Sequence, residues 1–241
     1  MTTATIQRRF LPNEIRQVEA VKRMDGDDEQ LPLIRGTGIV FFNKSDPDGT
    51  QYQLLRNTFE RIMPGSLELS MARPDDVRAL QNHDPRMILG RNAAKTLKLT
   101  VDDTGQHYEI ETPDTTVGRD TAVSLQRGDI TGSSFAFSMH VPGAKAVWTE
   151  EKNEDNDSIY YRQIEMIGAQ FDVGPVTYPA YSGTDSGVRS SRSAGIFATE
   201  SRAAEAEIET VKAELADFLR TNYYEPEAER RARELALINL S

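Results

Sequence analysis

Alternation of apolar and polar residues between residues 33 and 181 is the feature that most constrains this fold. Side chains in a strand point to opposite faces in turn, so this pattern predicts strands that are buried on one side. Turn-forming clusters rich in Asp, Asn, Gly and Pro separate the runs. The predicted strands cover residues 36–42, a hairpin over 97–111, residues 135–141 and a long strand over 159–173.

Short helices are predicted between these strands. Residues 64–69 favour a helix start, and residues 74–80 place Pro74 at the first helical position with acidic residues behind it. Residues 120–127 favour a third helix, which Gly128 would end. The expected fold is therefore mostly β with flanking helices, of the α+β class.

Composition changes at both ends of this region. Residues 1–32 are predicted to form an N-terminal arm, in which residues 15–22 fit either a helix or a strand. The Ser- and Gly-rich residues 182–197 read as a flexible linker between the β domain, 33–181, and a helical tail, 198–241. Apolar residues of the tail recur at helical spacing up to a break at 223–226, and a second helix is expected to follow. Its stripe, Ile208, Val211, Leu215 and Phe218, fits either loose packing or recruitment by partner helices.

Composition excludes several classes of function. The chain has no cysteine, which excludes a disulfide scaffold, a thiol nucleophile and a thiolate metal site. A formal net charge of −10 argues against nucleic-acid binding driven by bulk charge. Neither a transmembrane run nor a secretory signal is recognisable. An intracellular enzyme or a binding or assembly protein remains.

The candidate chemistry is a serine, a histidine and an acid. No paired histidines at metal-binding spacing and no Gly-rich phosphate loop occur, so neither a zinc site nor a nucleotide site is predicted. Among the three histidines, His107 and His140 lie in predicted strands, whereas His83 lies in a predicted loop. In the strand after Gly132, Ser133 shares the face of the large apolar residues, and Ser134 shares the face of small residues that leave room for a substrate.

Five segments, taken in order, resemble the prohead maturation proteases of tailed bacteriophages. They are residues 34–43, 59–67, 82–85 with 89–91, 128–137 and 171–181. The resemblance implies a fold similar to the herpesvirus assembly proteases, a closed β-barrel flanked by helices. It also implies that Ser134 is the nucleophile, His83 the general base and Asp172 the acid that orients the histidine.

The sequence departs from the family at two points. Glu is usual where Asp172 stands, and Gly174 and Pro175 replace the usual Ser-Val, which brings the local strand geometry into question. The herpesvirus enzymes are similar but use a second histidine in place of the acid. The oxyanion hole is left open between backbone N–H groups near Gly132 and a loop that carries Arg91. No cofactor is expected, because acyl transfer by such a site requires none.

The resemblance implies a serine endopeptidase that cleaves capsid protein precursor and scaffold protein, and itself between about residues 182 and 203. It would act in the host cytoplasm, inside the procapsid, without membrane or specific nucleic-acid partners, and self-association is left open. Two alternatives stand beside it. One is a non-enzymatic capsid-assembly or scaffold-associated module on the same fold, and the other is an unrelated β-barrel binding module with a helical oligomerisation tail.

Overall fold

The computed structural model describes residues 7–10, 18–21, 31–73, 75–177 and 197–223. Its strands are β1 Gln7–Phe10, β2 Val18–Val21, β3 Leu33–Val40, β4 Tyr52–Leu55, β5 Thr58–Ile62, β6 Arg78–Leu80, β7 Ile88–Arg91, β8 Leu97–Val101, β9 Gly105–Glu111, β10 Gly132–Ser138, β11 Lys145–Lys152, β12 Ser158–Met166 and β13 Ala169–Val176. The helices are α1 Glu68–Ala72, α2 Thr116–Arg127 and α3 Phe197–Tyr223, with a 3₁₀ turn at Asn92–Ala94.

The strands form three sheets. Their orders are β1-β10-β13-β6-β7, β11-β12-β5-β4 and β2-β3-β9-β8. The sheets enclose one core, in which Ile34, Ile110, Phe135, Phe137 and Ile164 are fully buried. The predicted mostly-β architecture with few helices is confirmed, and the hairpin predicted over residues 97–111 is the β8–β9 pair.

The prediction of a closed barrel is wrong. Closure requires a continuous ladder in which every strand pairs on both sides with a constant stagger. Within the described residues, each sheet instead ends in two edge strands, and the sheets pack on one another through side chains. Short strands such as the three residues of β6 do not provide the length that such a stagger needs, and bulges in β3 and β10 interrupt the ladders.

Two predicted elements differ from the structure. Residues 78–80 of the predicted helix 74–80 form strand β6, because pairing with β13 and β7 on either side outweighs a weak helical preference. The strand predicted over 159–173 is two strands, β12 and β13. The chain bends between them at Gly168, where a Cβ would lie 2.7 Å from the Ser138 carbonyl oxygen.

Capping residues define the ends of helix α2, whereas helix α3 is held by packing. Thr115 caps α2 by accepting a hydrogen bond from the Gly118 N–H, and Gly128 ends the helix at a φ of +81°. Val211 of α3 is buried, and Phe218 stacks on Trp148 at 6.3 Å between ring centroids. These two residues of the tail stripe therefore pack on the chain's own β domain.

The division into arm, domain, linker and tail stays a prediction. Most of the predicted linker, and the second helix expected after 226, lie outside the described residues. None of the helices in the described part of the chain combines the length and apolarity needed to span a bilayer.

Candidate active site

Strand β10 positions Ser134. All seven residues of β10 are buried, and the strand lies between β1 and β13. The Ser133 hydroxyl donates to the Thr37 carbonyl oxygen at 2.6 Å and lies 3.0 Å from the Tyr108 hydroxyl. Ser134 points to the opposite face, as alternation along a strand requires, and its Oγ lies 2.6 Å from Nε2 of His83.

His83 lies in the tight turn between β6 and β7. Asn82 and His83 both adopt the left-handed conformation, with φ of +54° and +56°. The Asn82 side chain fixes this turn to the end of β13: its Oδ1 accepts from the Thr177 N–H at 2.8 Å, and its Nδ2 donates to Thr177 Oγ1 at 3.2 Å. The Asn82 N–H also donates to the Pro175 carbonyl oxygen. Asn82 thus sets the direction in which His83 leaves the turn.

Strand β13 positions the acid. Asp172 lies opposite Ala136 of β10, and its Oδ1 lies 2.5 Å from Nδ1 of His83. Gly174 follows at a φ of +157°, where a Cβ would lie 2.1 Å from the Leu80 carbonyl oxygen. Only glycine fits so close to β6, and the strand continues through Pro175 to Val176. The departures at 174 and 175 therefore leave Asp172 in line with the histidine.

These three side chains form a continuous hydrogen-bonded chain. With its proton on Nδ1, the imidazole donates to Asp172 and accepts the Ser134 hydroxyl hydrogen at Nε2. The His83 side chain is 4% exposed and that of Asp172 10% exposed, so little water competes for these bonds. Such a chain can remove the proton from a serine as the hydroxyl attacks a carbonyl carbon.

The other residues singled out from the sequence lie elsewhere. His107 contacts Thr37, Thr104 and Asp102, and His140 is exposed. The guanidinium of Arg91 forms two bonds to the Asp76 carboxylate, three strands away from β10, or about 14 Å at the usual strand spacing. Arg91 is therefore a partner of Asp76, and Gly132 remains the oxyanion candidate on the nucleophile strand.

Two features next to the site have no signal in the sequence. The first is the backbone of β1, whose Arg9 carbonyl oxygen accepts a hydrogen bond from Ser134 Oγ at 2.9 Å. The second is a charge cluster, defined as Arg9, Glu60, Arg162 and Glu214, in which the first three side chains are buried and Glu214 is partly exposed. Pairing between segments so far apart in the chain leaves no local pattern in the sequence. In the structure, the buried charges make the strand 58–62 unusual.

The charge cluster joins strand β1 and helix α3 to the β domain. Glu60 accepts from Arg9 Nη2 at 3.0 Å and from Arg162 Nη1 at 2.6 Å, while Arg162 bonds Glu214 of α3 through Nε at 2.7 Å and Nη2 at 2.9 Å. Burial alone would raise the pKa of Glu60, but the Arg9 and Arg162 guanidiniums hold that pKa below its ordinary value. Glu60 is 0% exposed and charged, so both arginines are needed to offset the cost of burying its carboxylate.

A serine, a histidine and an aspartate in one hydrogen-bonded chain on a β scaffold define the class of serine hydrolases by geometry. The model of the caudovirus prohead serine protease family matches residues 18–196, and the chain belongs to that family. The structure of the bacteriophage T4 capsid assembly protease gp21 is similar at 12% sequence identity and a TM-score of 0.37, covering 74% of this chain and 100% of that one. Comparison with curated proteins found no match.

Proposed function

We propose that this chain is a serine endopeptidase of phage head maturation that cleaves peptide bonds by acyl transfer. The observation that carries the proposal is the chain of short contacts from Asp172 through His83 to Ser134, at 2.5 and 2.6 Å. Membership of a prohead serine protease family supports the same chemistry. The alignment of an acid, a base and a nucleophile is what acylation of a weak hydroxyl nucleophile requires.

Each residue has a defined role in this mechanism. Ser134 Oγ attacks the scissile carbonyl carbon while His83 Nε2 takes the hydroxyl proton. Asp172 stabilises the imidazolium that forms and keeps its Nδ1–H in place. His83 then returns the proton to the leaving amine, and a water molecule, activated by the same imidazole, hydrolyses the acyl-enzyme. Because Asp172 is already in contact with Nδ1, its shorter side chain suffices where relatives carry Glu.

The substrates in this proposal are the capsid protein precursor and the scaffold protein, met inside the procapsid in the host cytoplasm. The chain also cleaves itself between about residues 182 and 203, in the Ser- and Gly-rich segment or the start of the tail. Sequences rich in small polar residues are preferred sites of proteolysis.

The test is substitution of each member of the adjacent serine pair. Ser134→Ala should abolish cleavage of co-expressed capsid precursor and scaffold and leave the chain at its full mass, because no nucleophile remains. Ser133→Ala removes a hydroxyl from the opposite face of the same strand. It should cost about 1 kcal/mol of stability and leave cleavage intact.

The measurement is the mass of each cleavage product from cells that co-express the protease with its partners. Circular dichroism checks that both variants fold. Undiminished cleavage, of partners or of the chain itself, by a folded Ser134→Ala protein would refute the mechanism.

A non-enzymatic assembly module on the same fold is the second candidate, and one observation favours it. Ser134 is 0% exposed, so no substrate reaches Oγ in this conformation. If the chain is an assembly module, Ser134 never reacts with a serine-directed phosphonate. If it is a protease, Ser134 reacts once the site is uncovered.

A further inference from the structure

Helix α3 meets the β domain along one side. Val211, Glu214 and Phe218 follow one another at intervals of three and four residues, so their side chains project from the same face of the helix. Val211 is 1% exposed. The Glu214 carboxylate accepts hydrogen bonds from Nε and Nη2 of Arg162 at 2.7 and 2.9 Å, and the Phe218 ring stacks on Trp148. This face therefore carries a buried apolar side chain, an ion pair and a ring contact.

The other side of α3 faces solvent. Its exposed residues include Glu209, Lys212, Ala213, Asp217 and Arg220. Two ion pairs on this side, Lys212–Glu209 and Arg220–Asp217, join residues of the helix to one another rather than to the domain. The helix is thus amphipathic, and its attachment depends on the face that carries the ion pair to β12.

The site that receives this face lies on strands β11 and β12. Trp148 and Arg162 are cross-strand neighbours there, and together they define the helix site. The Arg162 side chain is 1% exposed and also bonds Glu60, which is 0% exposed. Without Glu214, the charge cluster keeps two arginines and one glutamate, a net charge of +1 in positions that are buried while the helix is bound. Since such a charge is costly until another carboxylate enters, a helix in this site has to bring an acidic residue to Arg162.

The contacts of α3 lie beyond the segment in which the proposed self-cleavage falls. That segment covers about residues 182 to 203, and Val211, Glu214 and Phe218 all follow it. Because α3 starts at Phe197, a cut at the latest position removes about two turns of the helix. A cut in this segment therefore breaks the chain and leaves the ion pair and the ring contact with the helix site in place.

We propose that the helix site binds an amphipathic helix with an acidic residue four positions before an aromatic one, and that α3 stays bound there after the chain is cut between about residues 182 and 203. The mode is that of a helix in a groove, in which residues at helical spacing supply the anchors. The inference rests on the proposed function for the cut itself, but binding of the helix does not depend on catalysis. The cut protein is then a complex of two chains.

The cut changes how firmly α3 is held and leaves its binding site unchanged. While it is tethered, the helix occupies its site at an effective concentration on the order of millimolar. After the cut it binds as a separate molecule, so the bound fraction depends on the dissociation constant and on the protein concentration. A second helix with the same acidic and aromatic anchors is therefore excluded from the uncut protein and competes in the cut protein.

The first test cuts the chain without using its own activity. In the Ser134→Ala protein, a recognition sequence for an unrelated site-specific protease is inserted after Gly187, and the purified, folded protein is cut there. We expect the β domain and the C-terminal fragment to elute together in size-exclusion chromatography at micromolar concentration. Native mass spectrometry identifies the complex by the summed mass of the two fragments.

The second test reverses the charge that meets Arg162. Added to the protein of the first test, Glu214→Lys places an ammonium group against the guanidinium and should weaken binding of the cut helix at least tenfold. The matched control is Glu209→Lys, which makes the same charge change on the exposed side of the same helix. Dilution of each cut protein, followed by native mass spectrometry, gives the dissociation constants. Circular dichroism of the uncut proteins checks that both variants fold.

The third test supplies the helix as a separate peptide. A fluorescent peptide with the sequence of residues 204–223 should replace the weakened helix in the cut Glu214→Lys protein, because that protein keeps Trp148 and Arg162. The same peptide should not enter the uncut Glu209→Lys protein, where the tethered helix competes. A peptide that carries Glu214→Lys should bind at least tenfold more weakly. Fluorescence anisotropy measures all three cases.

Three results would overturn the inference. They are separation of the cut fragments at micromolar concentration, equal dissociation constants for the cut Glu214→Lys and Glu209→Lys proteins, and equal binding of the two peptides. Failure of the proposed function looks different: α3 stays bound after the engineered cut, yet the wild-type chain never cuts itself between about residues 182 and 203.

Discussion

At the scale of single residues, the site depends on how few conformations its members can adopt. Ser134 is held in the middle of a buried strand, and His83 leaves a left-handed turn that Asn82 fixes to Thr177. Asp172 lies on the strand next to the nucleophile and reaches only His83 Nδ1 in the proposed mechanism. Small changes at Asp172 therefore act on the imidazole rather than on the fold.

Substitution of Asp172 separates charge from shape. Asp172→Asn should lower the cleavage rate by a factor on the order of 10⁴, because an amide that donates to Nδ1 stabilises the tautomer whose Nε2 carries the proton. Asp172→Glu keeps the charge but adds a methylene at a contact already 2.5 Å long, so we expect an intermediate rate. Rates on purified capsid precursor measure both, and equal rates for Asp172→Asn and wild type would contradict the role of the carboxylate.

At the scale of elements, sequence patterns predicted those features of the fold that depend on residues close together in the chain. Alternation located the β8–β9 hairpin and the two faces of β10, and Gly128 marked the end of α2. Strand β6 was predicted as a helix because its three residues become a strand only through pairing with β13 and β7. Barrel closure was wrong for the same reason, since it depends on contacts between strands distant in sequence.

Candidate site residues could be ranked from the sequence, but the covering of Ser134 could not. Strand parity favoured Ser134 over Ser133, and the two serines do point to opposite faces. The contact between Arg9 and Ser134 spans 125 residues of sequence. Nothing within residues 7–10 indicates which distant strand they join, because a four-residue strand carries too little pattern to specify a partner.

The ion pair between Arg9 of β1 and Glu60 should weaken in acid. Because the folded-state pKa of Glu60 lies below its ordinary value of about 4.5, its ion pairs stabilise the fold fully above that pH. This contribution is lost as the pH falls through the lower, folded-state pKa. Glu60→Gln removes the carboxylate that Arg9 and Arg162 share and leaves Arg162 with Glu214 alone, and should cost about 3–5 kcal/mol near neutral pH.

Urea unfolding of wild type and Glu60→Gln between pH 7 and pH 3 measures the difference. The stability gap should be largest near neutrality and should narrow as Glu60 becomes protonated in the wild type. A gap that stays constant over this range would show that the charge of Glu60 does not carry the effect.

At the scale of the whole molecule, the charge cluster connects strand β1 with helix α3. Arg9 belongs to the N-terminal strand and Glu214 to the C-terminal helix, while Glu60 and Arg162 lie between them in the β domain. Loss of either outer member leaves one unbalanced charge, and loss of both leaves the balanced pair of Glu60 and Arg162. Strand β1 and helix α3 should therefore be coupled energetically.

A double-mutant cycle tests this coupling. Arg9→Met and Glu214→Gln should each destabilise the protein, and the double variant should lose less than the sum, with a coupling of about 0.5–3 kcal/mol. Denaturant unfolding of the four proteins gives the value. Arg119→Met with Glu214→Gln is the additive control, because Arg119 lies on α2 and pairs with Asp114. Additivity in the Arg9 cycle would show that β1 and α3 are not coupled.

The covering of Ser134 by a strand of its own chain sets a concentration scale for the proposed reaction. A segment tethered by a short connection competes for its site at an effective concentration on the order of millimolar. Seven residues join β1 to β2, so β1 is such a competitor. A peptide in dilute solution loses this competition, whereas a substrate held at millimolar local density competes with β1 on equal terms. If the proposed function holds, covering of Ser134 by β1 therefore favours cleavage of substrates that are packed densely around the protein.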